Sequence, residues 1–541
     1  MQSLYINVDG VEYKYSNPRG GYLLYLATSE QMQEFDKFTI HTLRVPAIVL
    51  MDHAGFAVAQ KVAELRPKKV VVVCGKGNNG GDGWVAARWL KHWGQCQVEV
   101  ISSADPNTLS GEAKLASEMA LAAGVPYQVY YNDLELKEAD VYVDALLGTG
   151  AARPLKGDLA RLVEAVNRAA VTVVAVDVPS GVDASTGEVF GTAIKAQHTV
   201  CLGLQKLGTA VTPGCYSAGQ VTVADIGIPV QTAENLAVLT EAKDLRNWLP
   251  KRDWSAHKGT FGRVGIVMGE MQGAAVLAGL GAARSGAGLV ILGRQANRRA
   301  ANPNGANRSE VNQSEASWSA GAAMEIPYEF VLRERDRQDD VLDGFNDCQA
   351  VVVGPGLGRA AETPAEAKRW QSALHAYRGT GVLDADGLRF LADDLALLET
   401  GHWVLTPHPK ECGRLLGWTT DEVQQKRVLA ARTLADLTSA VVVLKGYHSL
   451  IAAPGKRLSV NPTGDASLST AGTGDVLAGL IGSLLAQGLE PFDAARAGAY
   501  LHGLAGELAG KQWNRAGTMA SDVVNHIPYA MNEVLQSFPG D

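Results

Sequence analysis

Four stretches of this chain set oxygen-bearing side chains beside glycine-rich turns. In "CGKGNNGGDG" an apolar run ends and Gly75, Gly77 and Gly80 follow with G-x-G-x-x-G spacing, interleaved with Asn78, Asn79, Gly81 and Asp82. "VDALLGTGAARP" places Asp144 ahead of a second turn, Gly148–Gly150, and "VDVPSGVDA" places Asp177, Ser180 and Asp183 after another apolar run. In "AGTGDVLAG", Gly472, Thr473 and Gly474 lead into a helical pattern with Asp475 in its first turn. The first spacing alone fits a redox dinucleotide turn, with Glu99 as the acidic helper about 20 residues on. It also fits a tight strand-to-helix turn that needs glycine for steric reasons. Any one Asp or Ser here is more simply a helix cap or turn residue. Three such turns in succession favour a site, in which oxygen-rich side chains suit a hard cation and turn amides suit a pyrophosphate. A Gly-Thr-Gly helix start can bind an anion, with Asp475 poised as a base toward a neighbouring hydroxyl. The alternative there is an acid that complements the helix dipole.

The elements that must position these residues are short apolar runs separated by helical patterns. "KVVVVC", "QVEVI", "ADVYVD", "VTVVAV" and "HTVCLG" predict strands in the first half. "RVGIVMG", "GLVIL", "QAVVVG", "GVLDAD", "HWVLT" and "AVVVLKG" predict a second series. Alternation of strand and helix implies parallel sheets covered on both faces, with the C-terminal strand ends sharing one ligand-binding edge. Thr28 and Gln31 have capping-box spacing, with Met32, Phe35 and Phe38 following at helical intervals. After the first turn, Val85, Ala86, Trp89 and Leu90 share a helical face. Long helical patterns begin at Gly474 and Pro491, and Arg294–Ala320 reads as a long polar loop or disordered insert.

Bulk properties narrow the class. A chain of 541 residues exceeds one ordinary core, so two or more domains are expected. The net charge of −8 argues against a dominant role on nucleic acid or anionic membrane. Six cysteines without a C-x-x-C pair argue against a zinc ribbon and fit a reduced compartment. With no apolar span of ~18 residues and no basic-then-apolar start, a cytoplasmic location is expected.

At this point the residues carry a resemblance. "GKGNNGGDG", "DALLGTG" and "VDVPSGVDA" resemble the signature segments of the NAD(P)H-hydrate epimerase domain, over residues 28–228. "LRVPAIVLMDHAG" is similar to that family's leading helix, which usually reads Glu-Asn where this chain has Asp52-His53. The resemblance implies a Rossmann-like three-layer sandwich that binds hydrated NADH or NADPH and a potassium ion (K+). By position, Asn79, Asp144 and Ser180 would hold K+. Residues Asn78 to Asp82 and Gly148, Thr149, Gly150, Ala151, Ala152, Arg153 and Pro154 would cradle the dinucleotide. Asp177 would be the acid/base that interconverts the C6 epimers.

The second half carries another resemblance. "HKGTFGRVGIVMG", "GPGLGR", "LDADGL", "TPHPKE" and "VVLKGYHSLIAAP", in that order around the Asp475 motif, resemble the ADP- or ATP-dependent NAD(P)H-hydrate dehydratase. That family implies a ribokinase-like α/β fold over residues 241–525, with Mg2+. Asp475 would be the base on the C6 hydroxyl, and Gly472, Thr473 and Gly474 would stabilise the transferring phosphoryl group. Ala275, Gly356 and His408 would line the hydrate pocket. Lys445, Gly446, Tyr447, His448 and Ser449 would lie along the adenine nucleotide. His257 and His408 read equally as capping or core histidines, and Lys445 as a surface cation. Three departures stand out: Lys410 where many members have glycine, the "ASLSTAGTGD" approach, and the polar stretch after Arg294.

The expectation is a bifunctional repair enzyme of two α/β domains. Residues 1–27 form an extension, 28–235 the epimerase, 236–253 a linker and 254–541 the dehydratase. Its partners would be hydrated dinucleotide and ADP, with self-association into a homo-oligomer, and no nucleic acid or membrane. The competing readings are a ribokinase-type small-molecule kinase, a nucleotide-sensing module and a dehydrogenase.

Overall fold

A computed structural model describes residues 4–8, 11–15, 24–131, 136, 138–150, 154–230, 233–295, 326–335, 341–358, 363–398 and 402–536. The chain divides into two compact units. The first takes residues 1–239 together with 421–429 and 457–460; the second takes 240–420, 430–456 and 461–541.

In the first unit the β-rich apolar runs pair in one seven-stranded sheet. Across it the strands run Gln220–Ala224, His198–Leu202, Thr172–Val176, Val141–Ala145, Lys69–Cys74, Gln97–Ser102 and Tyr127–Val129, all parallel. Lys69–Cys74 and Val141–Ala145 are neighbours from which the chain runs outward in opposite directions. Such a reversal opens a crevice at the C-terminal strand ends. The helices Ala47–Glu64, Asn78–Trp93 and Gly111–Ala122 cover one face around Val70, Val72, Trp84, Val85 and Leu90. The other face buries Val71, Val73, Tyr142, Leu162 and Val166, partly through the helix Gly157–Arg168.

Two parts of this unit are not evident in the apolar pattern. A small run of sheet pairs Gln205–Lys206, Leu24–Ala27, Ala237–Leu239 and Ser459–Val460 in that order. Residues 4–8 and 11–15 form an antiparallel hairpin. The expected Thr28–Gln31 capping box is present and starts the helix Ser29–Lys37. Met32 and Phe35 seat that helix on Ala27 and Leu236.

In the second unit eight strands form the sheet: Leu450–Ala452, Val441–Leu444, Trp403–Leu405, Thr380–Leu383, Ala350–Val353, Arg263–Met268, Leu289–Gln295 and Val331–Arg335. All pairings are parallel except that of the hairpin strand Leu450–Ala452. The reversal of strand order falls between Arg263–Met268 and Ala350–Val353. The helices Gln272–Arg284, Thr473–Ala486, Pro491–Trp513 and Ala520–Gln536 pack around Val264, Ile266, Val352, Ile481 and Leu484. Two helix starts and the α/β class follow the sequence expectation. The stretch 236–253, expected as a connection, carries a strand at Ala237–Leu239 and the helix Ala242–Trp248. Arg294 belongs to a strand and pairs with Glu334 at 2.5 Å, while 296–320 lie outside the described residues. All six cysteines are free, and all except Cys96 are buried.

Candidate functional sites

The first unit gathers its polar residues at the reversal point. Gly75 donates its amide to Ala145 O at 2.9 Å, locking the two turns together. A Cβ on Gly80 would stand 1.9 Å from Gly75 O, so the strand end and the helix start can meet only through glycine here. The helix Asn78–Trp93 has Gly77 at its N-cap and no side-chain cap, so its first-turn amides face the crevice unclaimed by a side chain. Gly148 lies against Asn79: a Cβ there would be 3.0 Å from Asn79 Oδ1. Thr149 O accepts from Ser29 Oγ at 3.0 Å. Gly150 and Pro154 complete the described part of this turn, and Ala151, Ala152 and Arg153 lie outside it.

Asp144 and Ser180 meet as expected. Ser180 Oγ donates to Asp144 Oδ1 at 2.6 Å, and the Ser180 amide donates to Oδ2 at 2.8 Å. Burial pushes the Asp144 carboxyl up to about 6 against the donors of Ser180 and Leu146. Nearby, Asn79 Nδ2 is buried without a hydrogen-bond partner among the described residues. A buried carboxylate, a hydroxyl and an amide form an oxygen-rich donor set that suits a hard monovalent cation.

Asp177 follows the strand Thr172–Val176 with φ +67°, in the left-handed region that a non-glycine residue seldom adopts. Four contacts hold it. Its amide donates to Val200 O at 2.8 Å, and the Cys201 thiol donates to its carbonyl at 3.2 Å. Its Oδ1 accepts from the Leu202 amide at 3.0 Å and from Lys206 Nζ at 2.5 Å. Lys206 is 2% exposed and also donates to Leu202 O at 2.6 Å. Asp36 and Asp82 stand close enough to this pair to feel its charges. Lys206 and Asp36 are absent from the sequence reading: a lone lysine after a strand carries no pattern, and Asp36 looks like an ordinary polar position of an amphipathic helix.

Glu99, the acid that the dehydrogenase reading requires, does not reach this edge. It is the third residue of the strand Gln97–Ser102, and its carboxylate lies 3.8 Å from Lys69 Nζ at the opposite end of the sheet. Register removes it: the strand runs three residues past Glu99 before the crevice.

The second unit builds its site around the helix Thr473–Ala486. Gly472 is its N-cap at φ +89°, again without a side-chain cap. Thr473 Oγ1 is spent on Leu468 O (2.9 Å) and Thr470 O (3.0 Å), which fixes the turn. Asp475 is partly buried at the third helical position. Burial, and then the negative charge of Asp384, raise it to about 6, while Lys445 opposes the shift. Lys445 Nζ binds Asp384 Oδ1 at 2.7 Å. Asp384 Oδ2 would lie 3.9 Å from a Cβ on Gly474. Behind the turn, His502 is buried; loss of solvent lowers it to about 4, against a hydrogen bond with the Thr473 backbone.

The other expected residues ring this centre at neighbouring strand ends. Gly356, at φ +64°, sits at the strand reversal and accepts from the Met271 amide at 3.0 Å. Ala275 is buried in the helix Gln272–Arg284. His408 caps the helix Pro409–Leu416: its Nδ1 accepts from Lys410 N and Glu411 N at 3.1 and 3.2 Å. Loss of solvent lowers its pKa, with Glu411 pulling the other way. After Lys445 the chain turns through Gly446. The Tyr447 and His448 rings stack with centroids 4.3 Å apart, and Ser449 Oγ donates to Gly446 O at 2.9 Å. Mg2+ needs only one or two protein carboxylates when phosphate supplies the rest, and Asp384 and Asp475 meet that requirement.

Comparison with known proteins agrees with this division. The family model of the YjeF-related protein N-terminus matches residues 47–208, and that of NAD(P)H-hydrate dehydratase matches residues 264–529. The bifunctional NAD(P)H-hydrate repair enzyme of Moorella thermoacetica is 36% identical over 531 residues, covering 94% of this chain and 97% of the relative. That of Escherichia coli is 33% identical over 491 residues, covering 89% of each. The ADP/ATP-dependent NAD(P)H-hydrate dehydratase of Bacillus subtilis, co-crystallised with ATP and Mg2+, is 27% identical, with a TM-score of 0.42 over 55% of this chain and 98% of that one. This chain belongs to the family of bifunctional NAD(P)H-hydrate repair enzymes.

Proposed function

We propose that this protein repairs hydrated nicotinamide dinucleotides at two separate sites. The segment 28–235 interconverts the R and S epimers of hydrated NADH and NADPH. The segment 254–541, after the connecting stretch 236–253, dehydrates the S epimer with ADP, or alternatively ATP; ADP leaves as AMP and phosphate. The observation that carries the reading is the pair of uncapped helix starts, each in a half that also holds a lysine–aspartate pair at a C-terminal strand edge, buried in the first half and half-buried in the second. Each half thus supplies an anion-binding turn and an acid/base group of its own.

In the first half, Asn78 to Asp82 and Gly148 to Pro154 cradle the dinucleotide. Asn79, Asp144 and Ser180 would hold K+, whose positive charge would help to anchor the dinucleotide's phosphates. Epimerisation requires the C6–O bond to break, leaving a cation shared by N1 and C6, and water to add to the other face. Asp177 lies beside that cation and exchanges a proton with the water. Lys206 and the Leu202 amide fix the carboxylate's orientation.

In the second half, Ala275, Gly356 and His408 line the hydrate pocket, and Lys445 to Ser449 run along the nucleotide. Asp475 takes the proton of the C6 hydroxyl as that oxygen attacks the terminal phosphorus of the nucleotide. The Gly472–Gly474 amides face the charge that develops on the phosphoryl oxygens. Asp384 and Asp475 are the carboxylates that would hold Mg2+ with the nucleotide, where it would offset phosphate charge. Phosphate then leaves C6, a C5 proton is lost, and the dihydropyridine ring is restored. Mixing the protein with both hydrate epimers and ADP tests the whole: complete recovery of the reduced-nicotinamide absorbance near about 340 nm is expected. Half-recovery means that the epimerase assignment fails, and no recovery sinks the dehydratase.

A further inference from the structure

Asp82 is buried more thoroughly than binding a phosphate explains. It is the fifth residue of the helix Asn78–Trp93, beyond the turn where an acid caps amides or complements the dipole. Its residue is 8% exposed, and among the described residues no hydrogen bond reaches its carboxyl. A carboxylate so placed would be costly in ionised form. Four groups face it from the elements packed around it. Asp177 comes from the strand end at Val176, Lys206 from the small sheet, Asp36 from the helix Ser29–Lys37, and Cys74 from the adjoining strand end. Three carboxyl groups therefore share one ammonium, and Lys206 has already committed to Asp177 at 2.5 Å.

Two carboxyls of the crevice, Asp177 and Asp82, thus have opposite surroundings. Asp177 accepts an amide and an ammonium, as a carboxylate does. Asp82 accepts from none of the described residues, and both burial and the Asp177 charge push its pKa well above the usual carboxylate range, against Lys206. Paired acids in contrasting environments are how one site runs acid and base chemistry at neutral pH.

We propose that Asp82 is the proton donor of the epimerisation. Its carboxylic acid protonates the departing C6 hydroxyl; the C6–O bond breaks and its electron pair leaves with oxygen as water. The N1 lone pair forms the N1=C6 bond. Water adds to the opposite face of C6, which consumes that π bond and returns the pair to N1, and Asp177 takes the released proton. The site ends with the proton on Asp177 and Asp82 ionised, the form that converts the other epimer back. One turnover moves a proton across the site with no net consumption. The proposal rests on the epimerase reading of this half.

The test is epimer exchange by the full-length protein without ADP, starting from one purified epimer and separating the two by chromatography. Wild-type protein that fails to accelerate exchange over buffer removes the epimerase reading itself. Given wild-type exchange, Asp82→Asn is expected to lower kcat by about 10²–10⁴-fold with KM little changed. Wild-type kcat/KM should fall on the alkaline side as Asp82 ionises, and Asp82→Glu should restore part of the rate with that limb retained. The infrared difference spectrum between wild type and Asp82→Asn at neutral pH should contain one protonated-carboxyl band. Exchange in Asp82→Asn at the wild-type rate, or absence of the band, overturns the proposal. If the variant does not fold, the wild-type profile decides, and a rate that stays flat or rises into the alkaline range overturns it.

Discussion

Both halves place a lysine against an aspartate at the edge of a parallel sheet, buried in the first and half-buried in the second, yet they spend the pair differently. In the first, Lys206 binds Asp177, the carboxylate proposed to meet the ring, at 2.5 Å. In the second, Lys445 binds Asp384 at 2.7 Å, and the proposed base Asp475 is a third party that feels both charges. A lysine bound directly to the reactive acid fixes its direction. A lysine bound one step away leaves the acid raised, nearer the working pH. The first arrangement suits a group that stabilises a cationic ring and takes the proton of the water that adds to it. The second suits a base that must both accept and release a proton.

The largest effect expected from this contrast is on Asp475. Asp475→Asn removes the base, so ADP-dependent recovery of NADH should fall by about 10²–10⁴-fold while epimer exchange continues. Loss of both activities together would contradict separate sites. Next is Lys206. Breaking a buried ion pair from one side costs about 3–5 kcal/mol. Lys206→Met should therefore lower thermal stability and abolish exchange, whereas Lys206→Met combined with Asp177→Asn should be less destabilised than the single changes summed. Additive losses in melting measurements would mean that the pair does not act as a unit.

A smaller effect separates the two sites by pH. The Asp475 carboxyl, raised to about 6 by burial and then by Asp384, works as a base only when ionised. Its ionised fraction grows as pH rises through that value, so the dehydration rate should climb along an acid limb near it. Asp384→Asn removes one negative neighbour and frees Lys445 to favour the anion, so the limb should move to lower pH. A limb that stays in place in a pH–rate series would assign it to another group.

The sites were unevenly legible in the chain. Strand ends, glycine turns and both helix starts follow from local spacing, because apolar runs and glycine pairs are contiguous in sequence. Asp144 and Ser180 are 36 residues apart, one near a strand end and the other in the turn after the neighbouring strand, so the parallel-sheet rule alone brings them together. Lys206 escapes that rule. It lies 29 residues from Asp177 in a two-residue strand too short to carry an apolar signature, and its burial becomes visible only when that strand is paired. Asp36 is hidden the same way, on a helix whose apolar residues Met32 and Phe35 announce the core and say nothing of the other side. Glu99 failed for the converse reason: spacing in sequence placed it well, and register within its strand placed it at the wrong end.

The smallest effect concerns the two glycines that start the anion-binding helices. In sequence Gly77 and Gly472 look equivalent. Gly77 has φ −100°, and nothing lies within 4 Å of a Cβ placed on it. Gly472 has φ +89°, and its Cβ would stand 2.6 Å from Leu277 Cδ1 and 3.2 Å from Ala520 Cβ. Gly472→Ala must therefore strain the backbone by about 1–2 kcal/mol and displace the amides that face the nucleotide, raising KM for ADP. Gly77→Ala meets no such obstacle and should change stability by about 0.5 kcal/mol or less. Denaturant titration of the two variants, with ADP and hydrate kinetics alongside, separates them. Equal losses at both positions would mean that Gly77 is needed for close approach of the ligand itself, since the protein around it leaves the space open.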